Sequence, residues 1–203
     1  MFNYKERNIK IMNRSKTHKI TVSAVLSAIA VIFMYFEIPL WFAPSFYEID
    51  LSELPVLIGA FAFGPALGVL IEAVKILIAL LVKGTTTGGV GEFGNFLIGI
   101  SFVLPASLIY KAHKTKKGAV LGMGLGIVCL ATVGALINGF VLIPMYTKFI
   151  PLENIIAMSR EVNGFVKDIK TLVLFAVVPF NVLKGIIVSV ITAIIYKKLR
   201  VII

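Results

Sequence analysis

An all-α integral membrane bundle of six helices is the fold class this sequence predicts, and three observations predict it. Of its 203 residues 59% are hydrophobic and only 15% charged, against about a quarter charged in a typical soluble domain. Apolar runs recur along the chain between short breakers, and six spans of roughly 20 residues would use nearly the whole length. Most Lys and Arg residues cluster between those runs, so the net charge of +10 marks cytoplasmic loops rather than a nucleic-acid-binding face. No length remains for a separate soluble domain, and residues 1–203 read as one transmembrane unit.

The elements follow in chain order. Residues 1–19 form a basic arm carrying Lys5, Arg7, Lys10, Arg14, Lys16 and Lys19. No small-residue cleavage pattern follows the first apolar run, so residues 20–38 read as a retained first helix rather than a signal. Residues 54–82 are apolar but would form a helix of ~44 Å at ~1.5 Å per residue, too long for a ~30 Å hydrocarbon core. Gly64-Pro65 interrupts them, so the expectation is a short second helix at 54–63 and a third at 65–82. Charge supports that reversal. It puts the arm, Lys111, Lys114, Lys116 and Lys117, and the tail residues Lys197, Lys198 and Arg200 on one side, thirteen of the twenty basic residues. Both termini are then cytoplasmic.

The connection at 39–53 carries Trp41, Phe42, Phe46, Tyr47, Glu48, Asp50 and Glu53 and no basic residue. Such a loop suits the outer interface and could cover a cavity. The glycine-dense GTTTGGVGEFG at 84–94 reads as a bent or re-entrant entry to a fourth helix at 93–110. A fifth helix covers 119–143 and a sixth 171–196. Between them, 144–170 is long, with a weakly amphipathic stretch at 152–166 that reads as a solvated surface helix.

Searches for catalytic chemistry return nothing: no phosphate-binding loop, HExxH, nucleophile elbow or zinc-spaced Cys/His set. Neither catalytic residues nor a metal are expected. Cys129 is alone, which excludes an internal disulfide, and His18 and His113 sit among lysines. What remains are polar residues at membrane depth, where each is costly and calls for a partner. Glu72 and Lys75 share a helix face at a spacing of three. Lys184 lies near the middle of the sixth span with no acid between Lys170 and the C-terminus. Asn181 is on its face, and Asn138 in the fifth span lies at a depth that could meet both. Two amides and an ammonium suit a neutral ring system with several hydrogen-bonding groups better than a simple ion. Gly118, Gly122 and Gly126 recur every four residues, as internal packing would require. Ala24 and Ala28, with Ser23 and Ser27 alongside, make a strip that could instead dock another membrane protein.

These segments resemble the substrate-binding S components of energy-coupling-factor (ECF) vitamin transporters, and their riboflavin-specific branch in particular. The resemblance spans nearly the full length: the basic arm and Ala24/Ala28, FYEIDLSELPVLIGAFAFGPALG at 46–68, GEFGNFLIG at 91–99, ALINGFVLIPMY at 135–146 and PFNVLKG at 179–185. It implies a non-enzymatic six-helix bundle in a prokaryotic plasma membrane, without a cofactor of its own. The bundle would hold one vitamin near its outer side beneath the first outer loop. Transport would require a transmembrane coupling subunit and two cytoplasmic ATPases. By motif, Asn138, Asn181 and Lys184 would contact the isoalloxazine ring, and Ala24 and Ala28 the coupling subunit. Asn95, Tyr47 and Glu48 carry over by position alone. Flavin mononucleotide (FMN) would be a second ligand, its phosphate near the loop.

Three alternatives remain open at this stage. One is an S component for another vitamin, such as thiamine or a pantothenate-like compound, of which a cationic ligand such as thiamine would want an acid in place of Lys184. A lipid-acting membrane enzyme would need paired carboxylates or histidines at the inner interface, where Glu6 is the only acid. A stand-alone secondary transporter would show an inverted repeat and a titratable acid at midplane, for which Glu72 qualifies but no repeat is visible.

Overall fold

The computed structural model describes residues 4–44, 47–85 and 87–202, with side chains described from residue 16 to residue 195. The side chains of Lys5, Arg7, Lys10, Arg14, Lys197, Lys198 and Arg200, together with Phe46, lie outside that description. The basic arm and the first apolar run form one continuous helix, α1 (Tyr4–Met34). A two-residue antiparallel ribbon follows, β1 (Ile38–Pro39) and β2 (Glu48–Ile49), with Ile38 opposite Ile49 and Pro39 opposite Glu48. The ribbon folds the first connection back over the end of the bundle.

Gly64 makes the reversal that sequence demands. Helix α2 (Glu53–Phe63) ends where the Gly64 N–H bonds to Ala60 O at 2.9 Å, and Gly64 takes φ = 102°, a conformation L side chains rarely adopt. Pro65 then opens α3 (Pro65–Lys83), where the missing N–H costs nothing. Helices α4 (Val90–Ala112) and α5 (Lys116–Ile137) form a tight antiparallel pair. A Cβ at Gly122 would lie 2.5 Å from Ala106 O and one at Gly126 2.7 Å from Phe102 O, so the glycines serve internal packing. Ala30, Val56, Leu57, Ile71, Phe102 and Leu130 belong to the shared core.

Two expectations change. The bent or re-entrant entry expected at 84–94 narrows to the bent form: Gly88 (φ 62°) and Gly89 (φ 88°) make a tight turn, after which α4 runs from Val90 without interruption. The outer surface helix, α7 (Leu152–Val162), is not simply solvated. Its apolar face, Ile155 and Ile156, is buried against Ile143, Val166, Leu172 and Ala176.

Two features were not foreseen. After α5 the chain makes one wide turn at Asn138–Leu142, closed by an i→i+5 bond from the Ile143 N–H to Asn138 O, before the short α6 (Ile143–Tyr146). A second wide turn, Val173–Val177, follows the short α8 (Ile169–Leu172) and leads into α9 (Val178–Ile202). Each is followed one residue later by a proline, Pro144 or Pro179. A proline ring clashes with the carbonyl four residues earlier and leaves it without a donor, and widening the preceding turn relieves both problems. For Pro179 that carbonyl is Phe175 O, which accepts from Asn163 Nδ2 at 3.1 Å. The two wide turns pack against each other.

Among the described residues five stretches suffice, by length and composition, to cross a membrane: Lys16–Met34, Pro65–Lys83, Val90–Ala112, Lys116–Tyr146 and Ile169–Ile195. The shorter apolar helix Glu53–Phe63 accompanies them.

Candidate functional site

A cavity of about 450 Å³ opens at the end of the bundle covered by the ribbon. That volume is within the roughly 300–1,000 Å³ of small-molecule sites. Asn138, Asn181, Lys184, Asn95, Tyr47 and Glu48, the six residues singled out for binding, all line it.

The wide turns position the two amides. Asn138 opens the first turn and donates Nδ2–H to Gly134 O at 2.8 Å. Asn181, one turn beyond the second, donates to Val177 O at 2.9 Å. Each amide spends one donor on the carbonyl four residues back, which fixes its orientation. Both residues are only 3% exposed, and that exposure faces the cavity. The first loop completes the wall: the Tyr47 hydroxyl donates to Asn138 Oδ1 at 2.8 Å, and its ring lies 5.3 Å from that of Phe180. Burial, together with nearby Tyr146, holds the Tyr47 phenol well above its ordinary value, so it stays a neutral donor.

Lys184 finds its counter-ion on the same loop, at Asp50 Oδ2, 2.9 Å away. Asp50 Oδ1 accepts the Ser52 N–H at 2.7 Å. Burial alone would raise the Asp50 carboxyl, but Lys184, Lys75 and the Ser52 hydrogen bond outweigh it and hold it well below the usual carboxylate range. The stretch from Lys170 to the C-terminus offers Lys184 no acid, and its counter-ion comes instead from another element. The acid-rich first loop was the available signal.

Behind this pair lies a second charge layer. Lys75 reaches Glu53 Oε1 at 2.9 Å, Glu72 Oε2 at 2.7 Å and Ser52 Oγ at 3.2 Å. The Glu72/Lys75 pairing expected from their spacing is present, and Glu53 joins it from α2. One ammonium thus serves two carboxylates, and Glu72 is fully buried. At the cavity mouth Glu37 grips Lys83 with both oxygens at 2.7 Å. Glu48 stands across the ribbon; its partial desolvation and its hydrogen bond to Glu37 push its carboxyl up from the ordinary value. Asn95, on α4, is exposed at the opposite lip.

The remaining candidates lie elsewhere. Ala24 and Ala28 are exposed on the outer face of α1, while Ser23 and Ser27 turn inward and are buried, so the four do not share one strip. Among the described residues no group of three His, Cys, Asp or Glu side chains is arranged to hold a metal ion. The arrangement presents amide, phenol, ammonium and carboxylate groups around an apolar chamber bounded by Met34, Ile98, Leu130 and Phe180. Such a chamber is suited to orienting a polar-edged ring system rather than to bond-breaking.

Comparison with known proteins places this geometry. Residues 18–196 match the family model described as "ECF transporter, substrate-specific component". The chain is 30% identical over 188 residues to the riboflavin transporter RibU of Staphylococcus aureus, covering 93% of each. To the riboflavin transporter RibU of Streptococcus thermophilus it is 35% identical over 190 residues, covering 92% of this chain and 84% of that one. To the riboflavin transporter FmnP of Bacillus subtilis it is 30% identical over 186 residues. A solved structure of the S component of a bacterial ECF transporter superposes with a TM-score of 0.72 at 29% identity, covering 91% of this chain and 96% of that one.

Proposed function

The chain belongs to the family of ECF transporter substrate-specific components, a family of transporter subunits and not of enzymes, and from that premise we propose that it captures riboflavin for uptake. The observation that carries the proposal is one cavity of about 450 Å³ on which Asn138, Asn181 and Lys184 converge from two helices, with Tyr47 and Asp50 closing over them from the first loop. Carbonyls and ring nitrogens of an isoalloxazine match amide and ammonium donors, while Phe180, Leu130 and Met34 accept its methylated edge. Asn95 and Glu48 at the mouth then face the ribityl chain.

In this reading α2 crosses as a sixth, short span and both termini are cytoplasmic, in the plasma membrane of a bacterium. Transport depends on a coupling subunit and two ATPases, with the exposed Ala24 and Ala28 face of α1 as the docking strip. Glu37 and Glu48 line the mouth, and Lys83 offsets only one of the two charges. Repulsion there favours the neutral vitamin over its phosphate, so FMN binds more weakly and gains affinity as salt rises.

The test is titration of the detergent-purified protein with riboflavin, following quenching of flavin fluorescence, with FMN and thiamine as parallel arms. Saturable quenching by riboflavin, weaker by FMN and absent with thiamine, supports the assignment. Unquenched riboflavin fluorescence in folded protein refutes it.

A further inference from the structure

A second cavity, of about 290 Å³, lies at the opposite end of the bundle from the first. Lys19 from α1, Lys111 and Lys114 from the end of α4, Tyr110 and Ser107 surround it, and its floor is the α2–α3 reversal from Ala60 to Ala66. The site proposed above uses none of these residues. Three properties define what would occupy it. First, no acid lines it: every acid whose side chain is described belongs to the other end of the molecule or to the charge layers beneath the first cavity. Second, its floor is apolar, with Phe61 stacked on Tyr110 at 4.5 Å between ring centroids and Phe63 meeting His18 edge-on. Third, its flanks run onto uncovered apolar helix surface, where Ile20 is 67% and Leu108 53% exposed.

Among the described residues no carboxylate pairs with Lys19, Lys111 or Lys114, and three such ammonium groups call for an anion. The apolar floor and flanks call for hydrocarbon attached to it. We propose that this cavity is a binding site for an anionic phospholipid, with the phosphate held by Lys19, Lys111 and Lys114 and an acyl chain lying along Ile20 and Leu108. The start of α3 at Pro65 adds the positive end of a helix dipole on the phosphate side. The shared chemistry is a phosphate monoanion, and free phosphate supplies it too. Only the lipid also uses the apolar walls. Basic pockets between transmembrane helices are established sites for such head groups.

The experiment measures lipid retention by native mass spectrometry, together with the thermal unfolding midpoint. It is run in neutral detergent with added phosphatidylglycerol, phosphatidylcholine or inorganic phosphate. Wild-type protein should retain phosphatidylglycerol saturably, preferring it to phosphatidylcholine by on the order of tenfold or more, since each ammonium near a phosphate contributes a several-fold gain. Inorganic phosphate should leave the midpoint unchanged. Lys19→Gln/Lys111→Gln/Lys114→Gln should abolish the preference, while Lys116→Gln/Lys117→Gln, which removes two charges at the same end but outside the cavity, should keep it. Riboflavin quenching at the far end reports that each variant is folded, and single Lys114→Gln provides a milder version if the triple variant is not. Equal retention by the cavity variant, equal loss in the Lys116/Lys117 control, or a midpoint shift produced by phosphate alone overturns the proposal.

Discussion

Replacing Lys184 with methionine separates the two things its ammonium does. One of its three donors is spent on Asp50 at 2.9 Å, and the side chains of the pair are 15% and 10% exposed. Two donors therefore remain for a guest. A hydrogen bond to a charged group contributes about 1.5–3 kcal/mol, so losing it should weaken riboflavin binding about 10- to 150-fold. The same substitution leaves Asp50 desolvated without its ammonium. In a fully dry interior that costs about 3–5 kcal/mol. Here the carboxylate keeps the Ser52 N–H and borders an open cavity, so about 2 kcal/mol of stability is the expected loss. The two losses are separable: Asp50→Asn in the same background removes the orphaned charge and should restore most of the stability but none of the affinity. Fluorescence-quenching titrations give the affinity and thermal unfolding in detergent gives the stability. Lys184→Met binding riboflavin within twofold of wild type while remaining folded would refute the assignment of this ammonium to the ligand. Full rescue of affinity by Asp50→Asn would show instead that only the loop's placement mattered.

Other consequences follow from the same geometry. Tyr47→Phe removes the bond to Asn138 Oδ1 and should cost about 0.5–1.5 kcal/mol, read as faster riboflavin release in stopped-flow fluorescence. Lys75→Met leaves Glu53 and Glu72 facing each other without their shared cation and should destabilise by about 3–5 kcal/mol, whereas Glu72→Gln should be far milder; thermal unfolding decides the order. Gly99→Ala places a Cβ 2.5 Å from Glu72 Oε1 and should lower stability by about 1–3 kcal/mol through displacement of that side chain. The Asp50 carboxyl lies below its unfolded value, so its contribution is present above the unfolded value of about 3.9 and fades only as pH falls through the folded one. Riboflavin affinity should accordingly be the same at pH 5 and pH 8 as far as the Lys184 contact is concerned. A loss at pH 5 that Asp50→Asn abolishes would contradict this.

How much of this was legible depended on whether the signal was local. Hydropathy and the Gly64-Pro65 breaker located every long apolar helix, because one residue with positive φ followed by a proline leaves little else for the chain to do. The convergence of Asn138, Asn181 and Lys184 was also readable, since polar side chains at membrane depth have few places to go. The partners were not readable. Asp50 is 134 residues from Lys184, and Tyr47 is 91 from Asn138; no periodicity links them, and the ribbon that delivers both is only two residues per strand. The wide turns also escaped, although Pro144 and Pro179 advertised them. Pro144 falls at the predicted end of the fifth helix and Pro179 inside the predicted sixth, and in both places a proline marks a widened turn that hydropathy does not register. The glycines at 84–94 left a bent and a re-entrant entry equally open, since a tight turn and a re-entrant loop make the same demand for positive φ.

The polar groups of the cavity are already engaged with one another. Tyr47 already bonds Asn138, Asp50 already bonds Lys184, and each amide is already anchored to its own helix. A flavin entering the cavity must therefore exchange the bonds that Tyr47 and Asp50 already make, and adds new ones only at the donors left over on Lys184 and the two amides. The net return on each exchange is small, about 0.5–1.5 kcal/mol for a neutral pair. Most of the affinity must then come from the apolar walls and the aromatic contact at Phe180, and the polar groups decide which ring system is accepted. The same exchange couples the guest to the loop, because two of the loop's polar tethers, Tyr47–Asn138 and Asp50–Lys184, end on residues that face the cavity. Tyr47→Phe/Asp50→Asn, which cuts both tethers, should therefore speed riboflavin entry and exit together, with a smaller change in affinity than in either rate. If the double variant slows entry, the tethers hold the loop open rather than closed and the sense of the coupling is reversed.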